Sequence, residues 1–197
     1  MKQGKLIVFE GVSGTGKETQ AKLLQRYLEK KHIQSVIVYH PTPELKEILS
    51  NWRKERHIDV TTEVYLLLAD RYDRVRQVID PALEKGHWVI SLRSCLSAEV
   101  YQGVTPSIRQ WIRKEFSRFE PTPYRIIHFT ITPEQALKRI MKRHEETGET
   151  IGRFENTRAL EDKQHAYREV FRHITHVSID AAEDISTIHK KIISSLF

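Results

Sequence analysis

The chain has 197 residues, of which 39% are apolar and 29% are charged, and its formal net charge is +6. This composition is typical of a soluble globular protein and excludes a fibrous or disordered chain, while the length suits one domain over residues 1–197. Basic residues are mixed with acidic ones and do not alternate with aromatic side chains, so we expect no nucleic-acid partner. The apolar run at the N-terminus is too short for a signal peptide or a membrane span, and the single cysteine, Cys95, cannot form an internal disulfide. We therefore expect a cytoplasmic protein that has no membrane partner.

The first third of the chain alternates between strand and helix patterns. Residues 5–9 form an apolar run that is too short for a helix and predicts a strand, and from Glu18 onward apolar residues recur at helical spacing. Residues 35–39 predict a second strand, which Pro41 and Pro43 end. We expect the first helix to connect these two strands.

The middle third begins with a long helical pattern at residues 61–79. Thr61 or Thr62 is suited to cap this helix, and Pro81 is expected to kink or break it. Residues 87–91 predict a third strand, because they form a short apolar run after a glycine.

The last third repeats the alternation, and two of its helices carry the same start signal. Thr105-Pro106 and Thr132-Pro133 each place a hydroxyl cap before a proline, and the second of these helices should continue to about His144. The further elements are a strand at 124–131, a polar loop at 145–152, a helix to about 174, a strand at 176–179 and a final helix.

Short apolar strands that alternate with helices predict an α/β fold with a parallel sheet, because both faces of such strands must be covered. Right-handed crossovers make this fold doubly wound, with five parallel strands and helices on both faces. Ligands of such folds bind beyond the carboxyl ends of the strands. We therefore expect a site along one rim, where residues 11–17 meet the segments after Tyr39 and Ser91.

The strongest motif is G-x-x-x-x-G-K at residues 11–17, between the first strand and the first helix. Glycines let backbone N–H groups converge on an anion, the helix N-terminus adds positive potential, and Lys17 can reach the outer phosphates. A plain glycine-rich turn is the alternative, but the loop, the lysine and the context together favour a P-loop NTPase fold that binds ATP. The expected contacts are Gly11, Val12, Ser13, Gly14, Thr15, Gly16, Lys17, Glu18 and Thr19.

The residue after Lys17 departs from the motif. A serine or threonine hydroxyl that ligates Mg²⁺ is usual there, whereas this chain has Glu18, followed by Thr19. Without a bridging metal, a carboxylate about 4 Å from a phosphate charge would cost roughly 4 kcal/mol at an effective dielectric near 20. Glu18 therefore either points away from the phosphates, which we favour, or contacts Mg²⁺. The metal ligands are not identified by the sequence.

Several ordered stretches resemble the thymidylate kinase family, whose members phosphorylate dTMP with ATP. FEGVSGTGKETQ resembles the phosphate loop of that family, LLLADR its helix over the acceptor base, and VIDPALEKGHWVIS the approach to its third strand. Arg93 with Ser97 and VYQG resembles the block D-R-Y…S…A-Y-Q-G. Arg139, Arg143 and Arg153-Phe154-Glu155 resemble its arginine-bearing lid. The resemblance runs nearly from end to end.

The resemblance implies a homodimer, a short lid at about residues 143–155, and Mg²⁺ with ATP as the phosphoryl donor. It implies that Lys17 and the loop amides hold the ATP phosphates, that Arg93 contacts phosphates near the transfer point, and that Arg143 and Arg153 close over the transferring group. On the acceptor side it implies Arg71 beside the base with Gln102 nearby, and Tyr101 at the sugar. The substrate-binding residues so expected are Tyr39, Leu67, Arg71, Arg93, Ser97, Tyr101 and Gln102.

Some of these residues have structural alternatives. Tyr101 could be a core residue, and the charged residues could be ordinary surface or ion-pair groups. The charged residues concerned are Arg71, with Asp70 or Asp73 as its partner, Arg139, Arg143 and Arg153. The ten histidines show no metal-ligand spacing, so we expect them to be surface or packing residues.

Four positions depart from the family pattern. Ser13 stands where an acidic residue is usual, Leu92 where D-R-Y has its aspartate, and Tyr39-His40-Pro41 where R-E-P supplies an arginine. Leu67 stands where an aromatic ring stacks on thymine, and such stacking can be worth about 1–3 kcal/mol. The resemblance predicts a dTMP kinase. The four departures leave two alternatives: a kinase of the same fold for another nucleoside monophosphate, or a nucleotide-binding protein with little catalysis.

Overall fold

The computed structural model describes residues 4–197, which form a five-stranded parallel sheet. The strands are β1 (Lys5–Glu10), β2 (Ser35–Tyr39), β3 (Trp88–Leu92), β4 (Arg125–Thr130) and β5 (Val177–Asp180). Their order across the sheet is β2-β3-β1-β4-β5. All of β3 is buried, and so is β1 from Leu6 onward, which explains why these strands are nearly uninterrupted apolar runs.

Helices cover both faces of the sheet, which confirms the predicted doubly wound α/β fold. They are α1 (Lys17–Lys30), α2 (Pro43–Glu55), α3 (Val60–Arg74), α4 (Asp80–Glu84), α5 (Cys95–Gln102), α6 (Pro106–Phe116), α7 (Pro133–Thr147), α8 (Thr157–Phe171) and α9 (Ile185–Leu196). Alternate residues of β1 serve opposite faces. Ile7 and Phe9 pack in the cluster that contains α1, α7, α8 and α9, whereas Leu6 and Val8 pack against Ile79.

Two predicted helix starts are confirmed, and the same signal marks a helix that we did not predict. Thr105 and Thr132 cap α6 and α7, each accepting a backbone N–H at 3.3 Å. Thr42 caps α2 in the same way, also at 3.3 Å, with Pro43 in the first turn. From the sequence, Pro43 predicts only the end of a strand, so α2 was not predicted. Helix α5 was also missed, because it is short and buried on nearly every side and so lacks an amphipathic pattern.

The predicted helix 61–79 is part of a longer helical stretch from Val60 to Glu84, and the chain stays helical through Pro81, where a kink or a break was expected. A π-helical turn at residues 75–79 precedes the proline, and the Asp80 N–H bonds to the Val75 carbonyl five residues back. This turn shifts the hydrogen-bond register, so that Pro81 falls in the first turn of α4, where its missing N–H is tolerated. The cap is Asp59 rather than Thr61 or Thr62.

The end of the chain follows the prediction with small shifts in boundaries, α8 ending at Phe171 and β5 covering Val177–Asp180. None of the helices in residues 4–197 combines the length and the apolar character that a bilayer crossing requires. β1 lies at the centre of the sheet, between β3 and β4. The loop that follows β1 therefore lies at the middle of the carboxyl edge, where ligands of doubly wound folds bind.

Candidate active site

Three glycines with positive φ shape the loop between β1 and α1. Gly11, Gly14 and Gly16 have φ angles of 141°, 80° and 78°. A Cβ at Gly11 would lie 2.5 Å from the carbonyl oxygen of Phe129, and one at Gly14 would lie 2.5 Å from that of Ala136. These positions therefore require glycine both for conformation and for close packing on β4 and α7.

The loop leads into the N-terminus of α1, which offers backbone donors. Gly16 is the N-cap of this helix, and no side chain within residues 4–197 caps its first turn. The loop is braced internally, because the Thr15 hydroxyl donates to the Val12 carbonyl at 3.0 Å. A helix end with uncapped N–H groups and positive dipole potential is suited to bind a phosphate.

Lys17 folds back over this loop. Its Nζ donates to the carbonyl oxygens of Gly11 and Val12 at 2.9 and 2.6 Å and to the Thr15 hydroxyl at 2.9 Å. Burial, and next the positive charge of Arg93, hold the pKa of Lys17 well below its ordinary value. An anion bound beside this ammonium group would raise that pKa again, so the loop is electrostatically prepared for phosphate.

Arg93 lies beside the loop in an unusual backbone conformation. It follows β3 with φ of 75°, which costs a non-glycine residue about 1–2 kcal/mol. Its N–H donates to the Phe9 carbonyl at 2.9 Å, and its guanidinium donates to the hydroxyls of Ser97 and Tyr167, both at 3.1 Å. Backbone strain of this kind is characteristic of functional sites, where the surroundings hold a side chain in one direction.

Glu10 lies behind the cavity wall and supports it, a role that the sequence did not predict. Its carboxylate is completely buried at the end of β1 and accepts hydroxyl hydrogen bonds from Ser94 at 2.7 Å, Ser97 at 2.6 Å and Tyr167 at 2.9 Å. Ser97 and Tyr167 are also the partners of Arg93, so one network joins the end of β1 to this arginine. The sequence signal is weak, since Glu10 is only a carboxylate that ends an apolar strand.

A cavity of about 750 Å³ opens beside the loop, within the size range of small-ligand sites. Within residues 4–197 its wall includes eight basic side chains and three glutamates, which makes it strongly positive. The basic residues are Lys17, Lys22, Lys46, Arg53, Arg93, Arg139, Arg143 and Arg153. Such a wall suits a ligand with several negative charges.

Most of the predicted binding residues meet in this one cavity. Those that line it are Ser13, Gly14, Gly16, Lys17, Glu18, Thr19, Tyr39, Leu67, Arg93, Ser97, Tyr101, Gln102, Arg143 and Arg153. Sequence reasoning missed Lys46 and Arg53, which belong to the unpredicted helix α2. These two residues extend the positive charge of the wall to the side opposite the lid.

One part of the wall is apolar and lies on the acceptor side suggested by the sequence. Leu49, Leu67 and Ala98 are buried there and line the cavity. His40 lines it as well, with its Nδ1 3.4 Å from the Asp70 carboxylate. Burial lowers the pKa of His40 in spite of this carboxylate, so the imidazole is neutral near pH 7.

The segment that joins α7 to α8 covers the cavity. Arg143 contacts the carboxylates of Glu149 and Glu155, both at 3.1 Å, within this segment. Two ion pairs connect the segment to the opposite wall: Lys46 with Glu149 at 3.2 Å, and Arg153 with Glu63 at 2.8 Å. The predicted lid arginines are therefore at the cavity, in an arrangement where the segment contacts α2 and α3.

Arg71 occupies a different place from the one that the resemblance implies. Its guanidinium is completely buried outside the cavity lining, donating to both carboxylate oxygens of Glu120 and, at 3.0 Å, to the Ser91 hydroxyl. Arg71 is therefore an ion-pair residue, as the alternative interpretation of the sequence had it. Its partner, however, is Glu120 rather than Asp70 or Asp73. The Ser91 hydroxyl donates in turn to the Arg93 carbonyl at 2.7 Å, so Arg71 supports the backbone of Arg93.

Glu18 is paired with a cation on its own helix. Its carboxylate lies 2.8 Å from the Lys22 ammonium, and the side chain is 57% exposed. The Tyr39 hydroxyl also donates to it, at 3.4 Å. In this arrangement Lys22 neutralises the Glu18 carboxylate at an exposed part of the cavity wall.

The possible metal ligands around the loop suit a metal ion that binds together with a nucleotide, rather than a metal site formed by protein side chains alone. No group of three His, Cys, Asp or Glu side chains suited to a metal occurs in the described part of the chain. The cavity carboxylates Glu18, Glu149 and Glu155 each contact a lysine or an arginine. Mg²⁺ commonly keeps several waters and takes its remaining ligands from substrate phosphates and one or two carboxylates.

Comparisons with known proteins agree with this geometry. The sequence model of a family described as thymidylate kinase matches residues 9–192. The chain is 34% identical to the thymidylate kinase of Desulfotalea psychrophila over 193 residues, covering 96% of this chain and 93% of the relative. It is 37% identical to that of Akkermansia muciniphila over 145 residues, covering 73% and 70%. A probable thymidylate kinase of Methanosarcina mazei is 32% identical, with 98% and 96% covered.

Proposed function

We propose that this chain, which belongs to the thymidylate kinase family and is a phosphotransferase, transfers the terminal phosphoryl group of ATP to dTMP. The observation that carries the proposal is the cavity whose wall joins the phosphate loop to a set of basic side chains. The loop suits the donor polyphosphate, and the apolar patch around Leu67 and Leu49 suits the base of the acceptor. A single cavity that accommodates both ligands is what direct transfer needs.

In the proposed reaction an oxygen of the dTMP phosphate attacks the γ-phosphorus of ATP, and the bond to the β-phosphate oxygen breaks. This transfer demands alignment and positive charge rather than covalent catalysis. The loop amides and Lys17 bind the donor phosphates. Hydrogen bonds to Ser97 and Tyr167 orient the Arg93 guanidinium, which neutralises charge at the transferring group. Arg143 and Arg153 add positive charge from the lid at about residues 143–155.

Mg²⁺ is part of this proposal as an ion that comes bound to ATP. It supplies charge neutralisation at the phosphate oxygens. Ser13 provides a hydroxyl at the loop, and Glu155 provides a carboxylate that also accepts the Gly152 N–H at 2.8 Å. These two residues would be the protein side of its coordination.

The test is an ADP-release assay with dTMP, dUMP, UMP, CMP, AMP and GMP as acceptors. We expect dTMP to be the preferred acceptor, and Lys17→Ala to reduce turnover by at least 100-fold because the donor phosphates lose their ammonium partner. Lys30→Ala, at the exposed other end of α1, is the matched control and should retain wild-type turnover. Absence of turnover with dTMP while another monophosphate reacts would refute the choice of acceptor.

A kinase of the same fold for another nucleoside monophosphate is the second candidate, and Arg71 favours it. The resemblance implies this arginine beside the base, whereas its guanidinium is engaged by Glu120 and Ser91 outside the cavity. The base pocket also has Leu67 in place of an aromatic ring. The same acceptor panel separates the two candidates.

We also propose a cytoplasmic homodimer of single-domain subunits. Exposed aromatic side chains on α3 support association: Tyr65 and Tyr72 are 60% and 52% exposed, and Tyr65 contacts Trp111 with ring centroids 5.5 Å apart. Light scattering after size exclusion tests the dimer, and a mass near 23.2 kDa would refute it. Cell fractionation tests the compartment.

A further inference from the structure

We propose that Glu63 is a positioning residue, which holds two arginines and one glutamine of the cavity wall in place for the acceptor. Glu63 itself belongs to α3 and has a side chain that is only 2% exposed. Its Oε1 accepts from Arg53 Nε at 2.9 Å, and its Oε2 accepts from Gln102 Nε2 at 3.1 Å and from Arg153 NH2 at 2.8 Å. The inference rests on the proposed kinase function, since it assigns a role within that same site.

The three partners come from three different parts of the fold. Arg53 is on α2, Gln102 is on α5, and Arg153 is in the lid segment, and each of them lines the cavity. The two guanidinium groups carry like charges and would repel each other without the carboxylate between them. Glu63 is therefore the group that allows these side chains to share one region of the wall.

Arg53 and Arg153 keep N–H donors that Glu63 does not use and that a ligand could bind. A guanidinium has five N–H donors, and Glu63 takes one from Arg53 and one from Arg153. A carboxylate only accepts, so the Gln102 amide must turn its NH₂ group toward Glu63 and its carbonyl oxygen elsewhere. Glu63 thus sets the direction of all three side chains without contacting the cavity itself.

Glu63 is ionised at neutral pH. Burial would raise its pKa, but the hydrogen bonds from Arg53 and Gln102 and the charge of Arg153 outweigh burial and lower it. The link between Glu63 and Arg153 also connects α3 to the lid over 90 residues of sequence. Loss of this carboxylate should therefore disturb both the acceptor wall and the lid.

The first experiment measures steady-state kinetics of Glu63→Gln, which keeps the size and removes the charge. We expect the KM for the acceptor to rise roughly tenfold while the KM for ATP stays within about twofold, because one charged hydrogen bond to each arginine is lost. Glu169→Gln is the matched control, since it breaks an exposed ion pair with Arg172 away from the cavity. An unchanged acceptor KM in a folded Glu63→Gln protein overturns the proposal.

The second experiment does not depend on activity. Trypsin cleavage of the Arg153–Phe154 bond, followed by mass spectrometry, should be several-fold faster in Glu63→Gln than in wild type, and unchanged in Glu169→Gln. If Glu63→Gln does not fold, Glu63→Asp keeps the charge but is too short to reach all three partners. Cleavage at the wild-type rate in that variant overturns the proposal.

A wild-type protein that does not phosphorylate dTMP would refute the proposed substrate instead, while the cleavage result would still decide the role of Glu63.

Discussion

Replacement of His128 by phenylalanine should reduce the stability that this protein loses between pH 8 and pH 5. His128 lies in β4 with 8% exposure, and its ring stacks on Phe171 with centroids 4.4 Å apart. Burial, and next the neighbouring His176 and Lys17, lower the pKa of His128 to about 4 from its ordinary value of 6.5. Phenylalanine preserves the stacking and has no proton to gain.

The difference between the folded and unfolded pKa of His128 determines how stability changes with pH. Between pH 6.5 and pH 4 the unfolded chain binds a proton at this position and the folded chain does not, so folding becomes less favourable as the pH falls. With these two pKa values, the loss between pH 8 and pH 5 is about 2 kcal/mol for this group. For a protein of this size, that loss corresponds to roughly 4–8 °C in Tm.

Urea denaturation at pH 8 and pH 5 tests this prediction. The wild-type protein should lose about 2 kcal/mol more unfolding free energy over this interval than His128→Phe does. His57→Phe, at an exposed position, is the control and should follow the wild type. Equal pH dependence in wild type and His128→Phe would refute the reasoning.

Two further changes test the ion pairs beside the site. Glu18→Ala should leave the Mg²⁺ dependence of turnover unchanged within about twofold, because the carboxylate contacts Lys22, and a shift to higher Mg²⁺ concentrations in a metal titration would contradict this. Glu120→Ala should destabilise the protein by about 3–5 kcal/mol in urea denaturation, since the buried Arg71 loses its partner. Glu115→Ala, which removes a pair whose arginine is 64% exposed, is the control, and equal losses in the two variants would contradict the second prediction.

Local signals predicted most of the fold. The glycine loop, the two threonine-proline helix starts and the order of strands and helices were readable because caps, proline and positive φ act within a few residues. The same signal at Thr42-Pro43 was available and overlooked, which hid α2 and with it Arg53. Helix α5 has a weaker start signal, because Ser94 caps it at 3.2 Å but no proline follows, and its residues are buried on nearly every side.

The sequence by itself determined the phosphate loop, since residues 11–17 hold the glycines and the lysine that its geometry requires. Only the tertiary structure decided the partners of the buried carboxylates Glu63 and Glu120. Arg71 pairs with Glu120 across 49 residues, and Arg153 pairs with Glu63 across 90. A buried charge takes whichever opposite charge the folded chain brings within hydrogen-bond distance, and that proximity arises from packing rather than from spacing along the chain.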